Sequence, residues 1–129
     1  MIYLDASAIV KLVVAEAETD ALRRWLGRRR VPRATSDLSR VEVPRACMRA
    51  APTALLEAQR VVARLSSIPL TRQLLDAAAA LQPPALRSLD AVHLASAMAI
   101  REPLRAFVAY DRGLVEAAEA LGLPVESPA

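Results

Sequence analysis

Ile2-Tyr3-Leu4 and Ala106-Phe107-Val108-Ala109-Tyr110 are short apolar runs, each ending at an aspartate and each followed by residues of helical period. Runs this short suit strands buried on both faces. After Asp5, Ala6 to Val14 reads as a helix that is apolar almost all round, so it must touch neighbours on more than one side. Ala21, Leu22, Trp25 and Leu26 mark an amphipathic second helix, and a strand is expected near Val31 to Thr35. Asp37 to Ala50 reads as a helix whose Pro44 should kink it or move its start, with Pro52 ending it. Leu55, Ala58, Val62 and Leu65 form a helical stripe, and Ser67 to Leu70 is a weak strand. Thr71 caps a helix carrying Leu74, Leu75 and Ala78. Past the Gln82-Pro83-Pro84 loop come a helix over Leu89 to Ile100, the Ala106 strand, a helix from about Gly113 to Leu121 and a last strand near Val125. This alternation predicts an α/β fold: a three-layer α/β/α domain around a mainly parallel sheet of about five strands.

The 129 residues, without linker or repeat, make one domain spanning 1–129. Only Gly27, Gly113 and Gly122 are available, which excludes a glycine-rich phosphate loop or a dinucleotide fingerprint. The lone cysteine, Cys47, excludes an internal disulfide and a Cys-rich zinc module, and reads as a small buried hydrophobe. The first residues lack the basic segment of a signal peptide, and no apolar run approaches the ~20 residues of a membrane span. A reducing, cytoplasmic setting is therefore expected, with no membrane partner. The mean hydropathy of +0.26 is high enough to suggest an apolar patch kept for a partner.

Lys11 is the only lysine among 17 basic residues, so 16 are arginines, and the net charge is +3. Arg23, Arg24, Arg28, Arg29, Arg30 and Arg33 fall in one stretch with no intervening acid. They read either as a solvated face or as contacts to an RNA backbone or an acidic partner.

Ligands in open α/β sheets bind beyond the carboxyl ends of strands. Asp5 and Asp111 sit there, Asp90 lies in the first turn of its helix, and Glu42 lies early in the Asp37 helix. Each has a bland role available: Asp5 and Asp111 as helix caps, Asp90 as a dipole partner, Glu42 in a capping box with Ser39. Yet all four stand in apolar surroundings with no lysine near, where a carboxylate is costly without hydrogen bonds or an ion. Acids converging in one crevice are reconciled by a divalent cation, and all-oxygen ligands select Mg²⁺ or Mn²⁺ over zinc.

Ile2-Tyr3-Leu4-Asp5-Ala6-Ser7-Ala8, Ser39-Arg40-Val41-Glu42-Val43, Leu89-Asp90-Ala91-Val92-His93-Leu94-Ala95 and Ala109-Tyr110-Asp111-Arg112-Gly113-Leu114 resemble, in order, the four acidic blocks of a PIN domain. More narrowly, nearly the whole chain resembles the VapC toxins of bacterial toxin–antitoxin pairs. The resemblance implies a Mg²⁺- or Mn²⁺-dependent endoribonuclease that cleaves RNA phosphodiester bonds and is neutralised by a VapB-like antitoxin, with a homodimer as the family tendency. It places the catalytic and metal-holding acids on Asp5, Glu42, Asp90 and Asp111, and the small hydroxyl after the first acid on Ser7. It also implies an antitoxin groove along the first two helices, through Ile9, Leu12, Val13, Leu22 and Trp25. Many relatives carry Thr or Ser two places before the last acid and some a further acid four places after it, where this chain has Ala109 and Val115. His93, three residues after Asp90, is read as a helix-packing residue or one that supports the site from behind.

The rival readings are a phosphoacceptor domain, either a response-regulator receiver or a haloacid-dehalogenase-like phosphatase, and a catalytically silent binding module. A receiver wants paired acids after its first strand and a lysine after its last, but Lys11 lies on the first helix. The phosphatase wants Asp-x-Asp, where this chain has Asp5-Ala6-Ser7.

Overall fold

A computed structural model describes residues 1–129. Five strands, β1 (Ile2–Leu4), β2 (Arg33–Ser36), β3 (Ser66–Ile68), β4 (Ala106–Val108) and β5 (Val125–Glu126), form one sheet in the order β3-β2-β1-β4-β5, parallel throughout. The helices are α1 (Ala6–Val13), α2 (Thr19–Gly27), α3 (Ser39–Ala50), α4 (Leu55–Ala63), α5 (Arg72–Ala79), α6 (Ser88–Ala99) and α7 (Arg112–Ala120).

Alternation along β1 sorts the core into two layers. Ile2 and Leu4, with Ala106 and Val108 of β4, pack against α1 to α4. Tyr3 and Phe107, stacked with ring centroids 5.3 Å apart, face α5, α6 and α7 with Ala34, Ile68 and Ala109. Burying strands on both faces is why β1 and β4 read as unbroken apolar runs.

Prolines explain where the expected strands shift. Pro32 has no N–H to donate, so β2 begins after it, at Arg33, while the Pro32 carbonyl accepts from the Ile2 N–H at 2.9 Å. Pro69 likewise closes β3 at Ile68. The expected change of start at Pro44 does not occur. Helix α3 begins at Ser39 and runs through the buried Pro44 to Ala50, with Pro52 opening a short 3₁₀ turn beyond it. The capping box does not form either. Ser39 lies inside the first turn, where its hydroxyl pairs at 2.7 Å with that of Thr35, which in turn donates to the Leu4 carbonyl.

The chain builds β1, β2 and β3 toward one edge, then returns past β1 to build β4 and β5. The order reverses between β1 and β4, so their carboxyl ends flank the crevice where such sheets bind ligands. Leu4 pairs with Val108, and the Asp5 N–H donates to the Val108 carbonyl at 3.1 Å.

Candidate active site

Asp5 leaves β1 directly into α1 and caps it, one oxygen accepting from the Ala8 N–H at 2.9 Å. The Ser7 hydroxyl lies 2.7 and 2.9 Å from the two carboxylate oxygens and accepts from the Tyr110 N–H at 3.2 Å, tying the ends of β1 and β4 together. Asp5 is 3% exposed. Burial raises its pKa to about 6, with Glu42 adding to the rise, against the lowering effects of the Ala8 N–H, His93 and Ser7. A cap on an exposed helix would not be held this dry.

Glu42 reaches from the first turns of α3 to His93 of α6, with Oε1 2.6 Å from Nε2. The other ring nitrogen, Nδ1, lies 2.7 Å from the buried Tyr3 hydroxyl. An imidazole protonated on Nε2 donates to Glu42 and accepts from Tyr3, and with both nitrogens so engaged it has no lone pair free for a metal or substrate. Burial and the Asp5 charge push the Tyr3 phenol well above its ordinary value.

Asp90 and Asp111 meet through a residue the acidic motifs do not contain. Arg87, just before α6, donates from Nε to Asp90 Oδ2 at 3.0 Å, and its Nη2 lies 3.1 Å from Asp111 Oδ2. Asp111 also caps α7 by accepting from the Leu114 N–H at 3.0 Å. A cleft of about 560 Å³ opens beside this pair, lined by Arg87, Asp90, Asp111, Gly113 and Glu116 among others. Weighing only lysines as counter-charges missed Arg87. Its signal was the spacing of three from Asp90 across a helix start.

The acids therefore share one end of the sheet without forming a single ligand cluster, and no three of the acidic, His or Cys side chains stand together at metal-holding distance. Each acid has its own partner: Ser7 for Asp5, His93 for Glu42, Arg87 for Asp90 and Asp111. The donor chemistry still fits a hard divalent cation. The groups at the crevice are carboxylates, two of them already share one cation, His93 is committed, and Cys47 is sealed in the core.

A model of the PIN domain matches residues 2–120. The chain belongs to the PIN-domain family. Ribonuclease VapC46 of Mycobacterium tuberculosis is 45% identical over 127 residues, covering 98% of this chain and 97% of that protein. Ribonuclease VapC35 of the same species is 47% identical over 131 residues, covering 99% and 97%. The crystal structure of Mycobacterium tuberculosis VapC20, a sarcin–ricin-loop cleaving toxin, superposes with a TM-score of 0.79 at 18% identity, covering 99% of this chain and all of that one, a likeness of fold. Within the family this chain is a VapC-type endoribonuclease toxin, and such ribonucleases depend on a divalent metal and are paired with an antitoxin.

This PIN domain departs from the expected contacts in two places. Ile9 and Leu22 are fully buried in the core and cannot line an antitoxin groove, whereas Leu12, Val13 and Trp25 are half-buried. A helix apolar all round does not reveal which stripe the core takes. The large apolar side chains left open nearby are Val41 of α3 and Leu55 and Leu56 of α4.

The arginine stretch also lies apart from the acids. Arg29 stacks over Trp25 at 3.9 Å and lines a pocket with Ile2, Val31, Arg105 and Ala106, at the amino ends of β1 and β4. Arg33 opens β2 and donates to the Leu26 carbonyl, and Arg23 reaches the Leu12 carbonyl. Arg24, Arg28 and Arg30 are exposed. Arg28, Arg29 and Arg30 follow α2 toward the end of the sheet opposite the acids. Ala109 is buried just past the end of β4 and Val115 packs against the core, so neither position adds a polar group beside Asp111.

Proposed function

We propose that this chain hydrolyses RNA with Mg²⁺ or Mn²⁺ held by Asp5, Asp90 and Asp111, with Glu42 beside them. The observation that carries this reading is the set of four carboxylates at the β1/β4 switch point, two already bridged by a cation, with no free nucleophile among them. A divalent cation there polarises the phosphodiester and activates water for its hydrolysis. Ser7 fixes the Asp5 carboxylate, and the Tyr3–His93 pair sets the direction of Glu42.

Water as nucleophile predicts linear phosphate ends. Attack by the RNA's own 2′-hydroxyl would instead leave a 2′,3′-cyclic phosphate, and His93, buried with both nitrogens engaged, offers no imidazole base for it. Cleavage with Mn²⁺, followed by end analysis, is therefore expected to yield no 2′,3′-cyclic phosphate and to stop in excess chelator. Full activity in chelator, or cyclic ends, would overturn the reading. The same reading puts the protein in the cytoplasm, and no helix is long and apolar enough to cross a membrane.

The VapB-like antitoxin belongs on the α1–α3–α4 side, where Val41, Leu55 and Leu56 are exposed beside the half-buried Leu12 and Val13. Leu56 is 57% exposed, so Leu56→Glu separates binding from folding better than Leu12→Glu or Val13→Glu. We expect it to weaken antitoxin binding roughly tenfold or more while moving stability by no more than about 0.5 kcal/mol. Isothermal titration paired with melting checks both, and unchanged affinity would place the groove elsewhere. Homodimerisation belongs to the same proposal, with Leu70 and Leu75 the large apolar side chains left exposed before and on α5.

A further inference from the structure

Arg87 is the one basic residue whose side chain is bonded to two of the four acids. Its own side chain is 70% exposed, so the two carboxylates hold the guanidinium in place and no surrounding core does. It leaves from extended backbone (φ −65°, ψ 147°) at the residue preceding α6, outside the helix it serves.

Such a contact is built to exchange. Exposed ion pairs are weak, so a divalent cation with two charges and a preference for carboxylate oxygen displaces a guanidinium at small cost. The released group remains at the rim of the cleft that Asp90 and Asp111 also line. Guanidinium binds phosphate oxygens with the same fork geometry it offers carboxylates. Arg112 is not equivalent. It is bonded to Glu116 at 3.1 Å and is almost wholly exposed.

We propose that Arg87 is the resident counter-cation of Asp90 and Asp111 in the metal-free chain, that a divalent cation releases it, and that the freed guanidinium then positions the scissile phosphate. This rests on the metal-site reading above and adds a residue outside the four acids. Competition and substrate contact carry opposite signs in experiment, which makes the inference testable.

Mn²⁺ binding is measured without RNA, by electron paramagnetic resonance or calorimetry, on the full chain and on Arg87→Gln, Arg112→Gln and Asp90→Asn. Arg87→Gln is expected to bind Mn²⁺ roughly three- to tenfold tighter, the size of one or two exposed ion pairs. Arg112→Gln, which removes the same charge nearby, should change it less than about twofold, and Asp90→Asn should weaken it. In RNA cleavage at saturating Mn²⁺, Arg87→Gln should raise KM by about tenfold with a smaller fall in kcat, and Arg87→Lys should recover part of the loss. Unchanged or weaker Mn²⁺ binding by Arg87→Gln, or an unchanged KM, overturns the inference while Asp90→Asn still reports a metal site. Unchanged Mn²⁺ binding by Asp90→Asn overturns the site and this inference with it.

Discussion

Asp90→Asn is expected to lower Mn²⁺-dependent RNA cleavage by on the order of 100-fold or more, because even outer partners of metal ligands are worth about 10–100-fold. Its effect on the metal-free fold should be small and slightly destabilising. Crowded carboxylates alone would make removal of a charge stabilising, but Arg87 already offsets that repulsion. What is lost is one exposed ion pair, worth up to about 1 kcal/mol, and a favourable charge near the amino end of α6, worth about 0.3–1 kcal/mol. Melting in chelator and cleavage in Mn²⁺, measured on the same preparation, separate these effects. A variant that is destabilised yet fully active would reduce Asp90 to a support for its helix.

The layers of this fold were legible because strands buried on both faces leave no polar alternation to confuse them. Ile2-Tyr3-Leu4 and Ala106-Phe107-Val108 are strands, as their patterns implied, and they pair beside one another. Asp5 and Asp111 were legible as acids at strand ends, and both cap the helices that follow as well as facing the crevice. Partners that come from distant parts of the chain were not legible. Glu42 and His93 are 51 residues apart and meet because α3 and α6 flank the same end of the sheet, and no spacing rule encodes that contact. The Ser39-to-Glu42 spacing even suggested a local bond in its place, which Thr35 pre-empts by pairing with Ser39. The position of the arginine stretch was not legible for a related reason. Charge density along the chain says nothing about which end of a parallel sheet a connection reaches, and this one precedes β2 at the end away from the acids. Composition marked an apolar excess without saying where it lies, and Ile9 and Leu22 went to the core while Val41, Leu55 and Leu56 stayed exposed.

Asp5→Asn is expected to stabilise the metal-free protein at neutral pH and to abolish most cleavage. Folding raises the Asp5 pKa from 3.8 to about 6, chiefly by burial. The groups facing it are the Ala8 N–H, the Ser7 hydroxyl, His93 and Glu42, with Tyr3 behind. A carboxyl that ionises later in the folded state than in the unfolded one makes the folded state the better proton binder, so stability falls as pH rises. Below about pH 4 both states are protonated and Asp5 costs nothing through its charge. Between about 4 and 6 the unfolded chain ionises first and stability is lost. Above about 6 the deficit is complete, with an upper bound of about 3 kcal/mol. Asparagine caps α1 as well as aspartate does and carries no charge, so Asp5→Asn should match the original chain near pH 4 and exceed it by about 1–3 kcal/mol at pH 7.5 in chelator. Saturating Mn²⁺ should raise the melting temperature of the original chain and do far less for the variant, since binding to the folded state alone stabilises it. The same proton competes with the metal, so Mn²⁺ affinity should weaken as pH falls through about 6. Denaturant melts at the two pH values, with and without Mn²⁺, decide the matter. If Asp5 were only a buried helix cap, the pH dependence would remain, because burial causes it, but Asp5→Asn would leave both cleavage and the response of the melting temperature to Mn²⁺ unchanged.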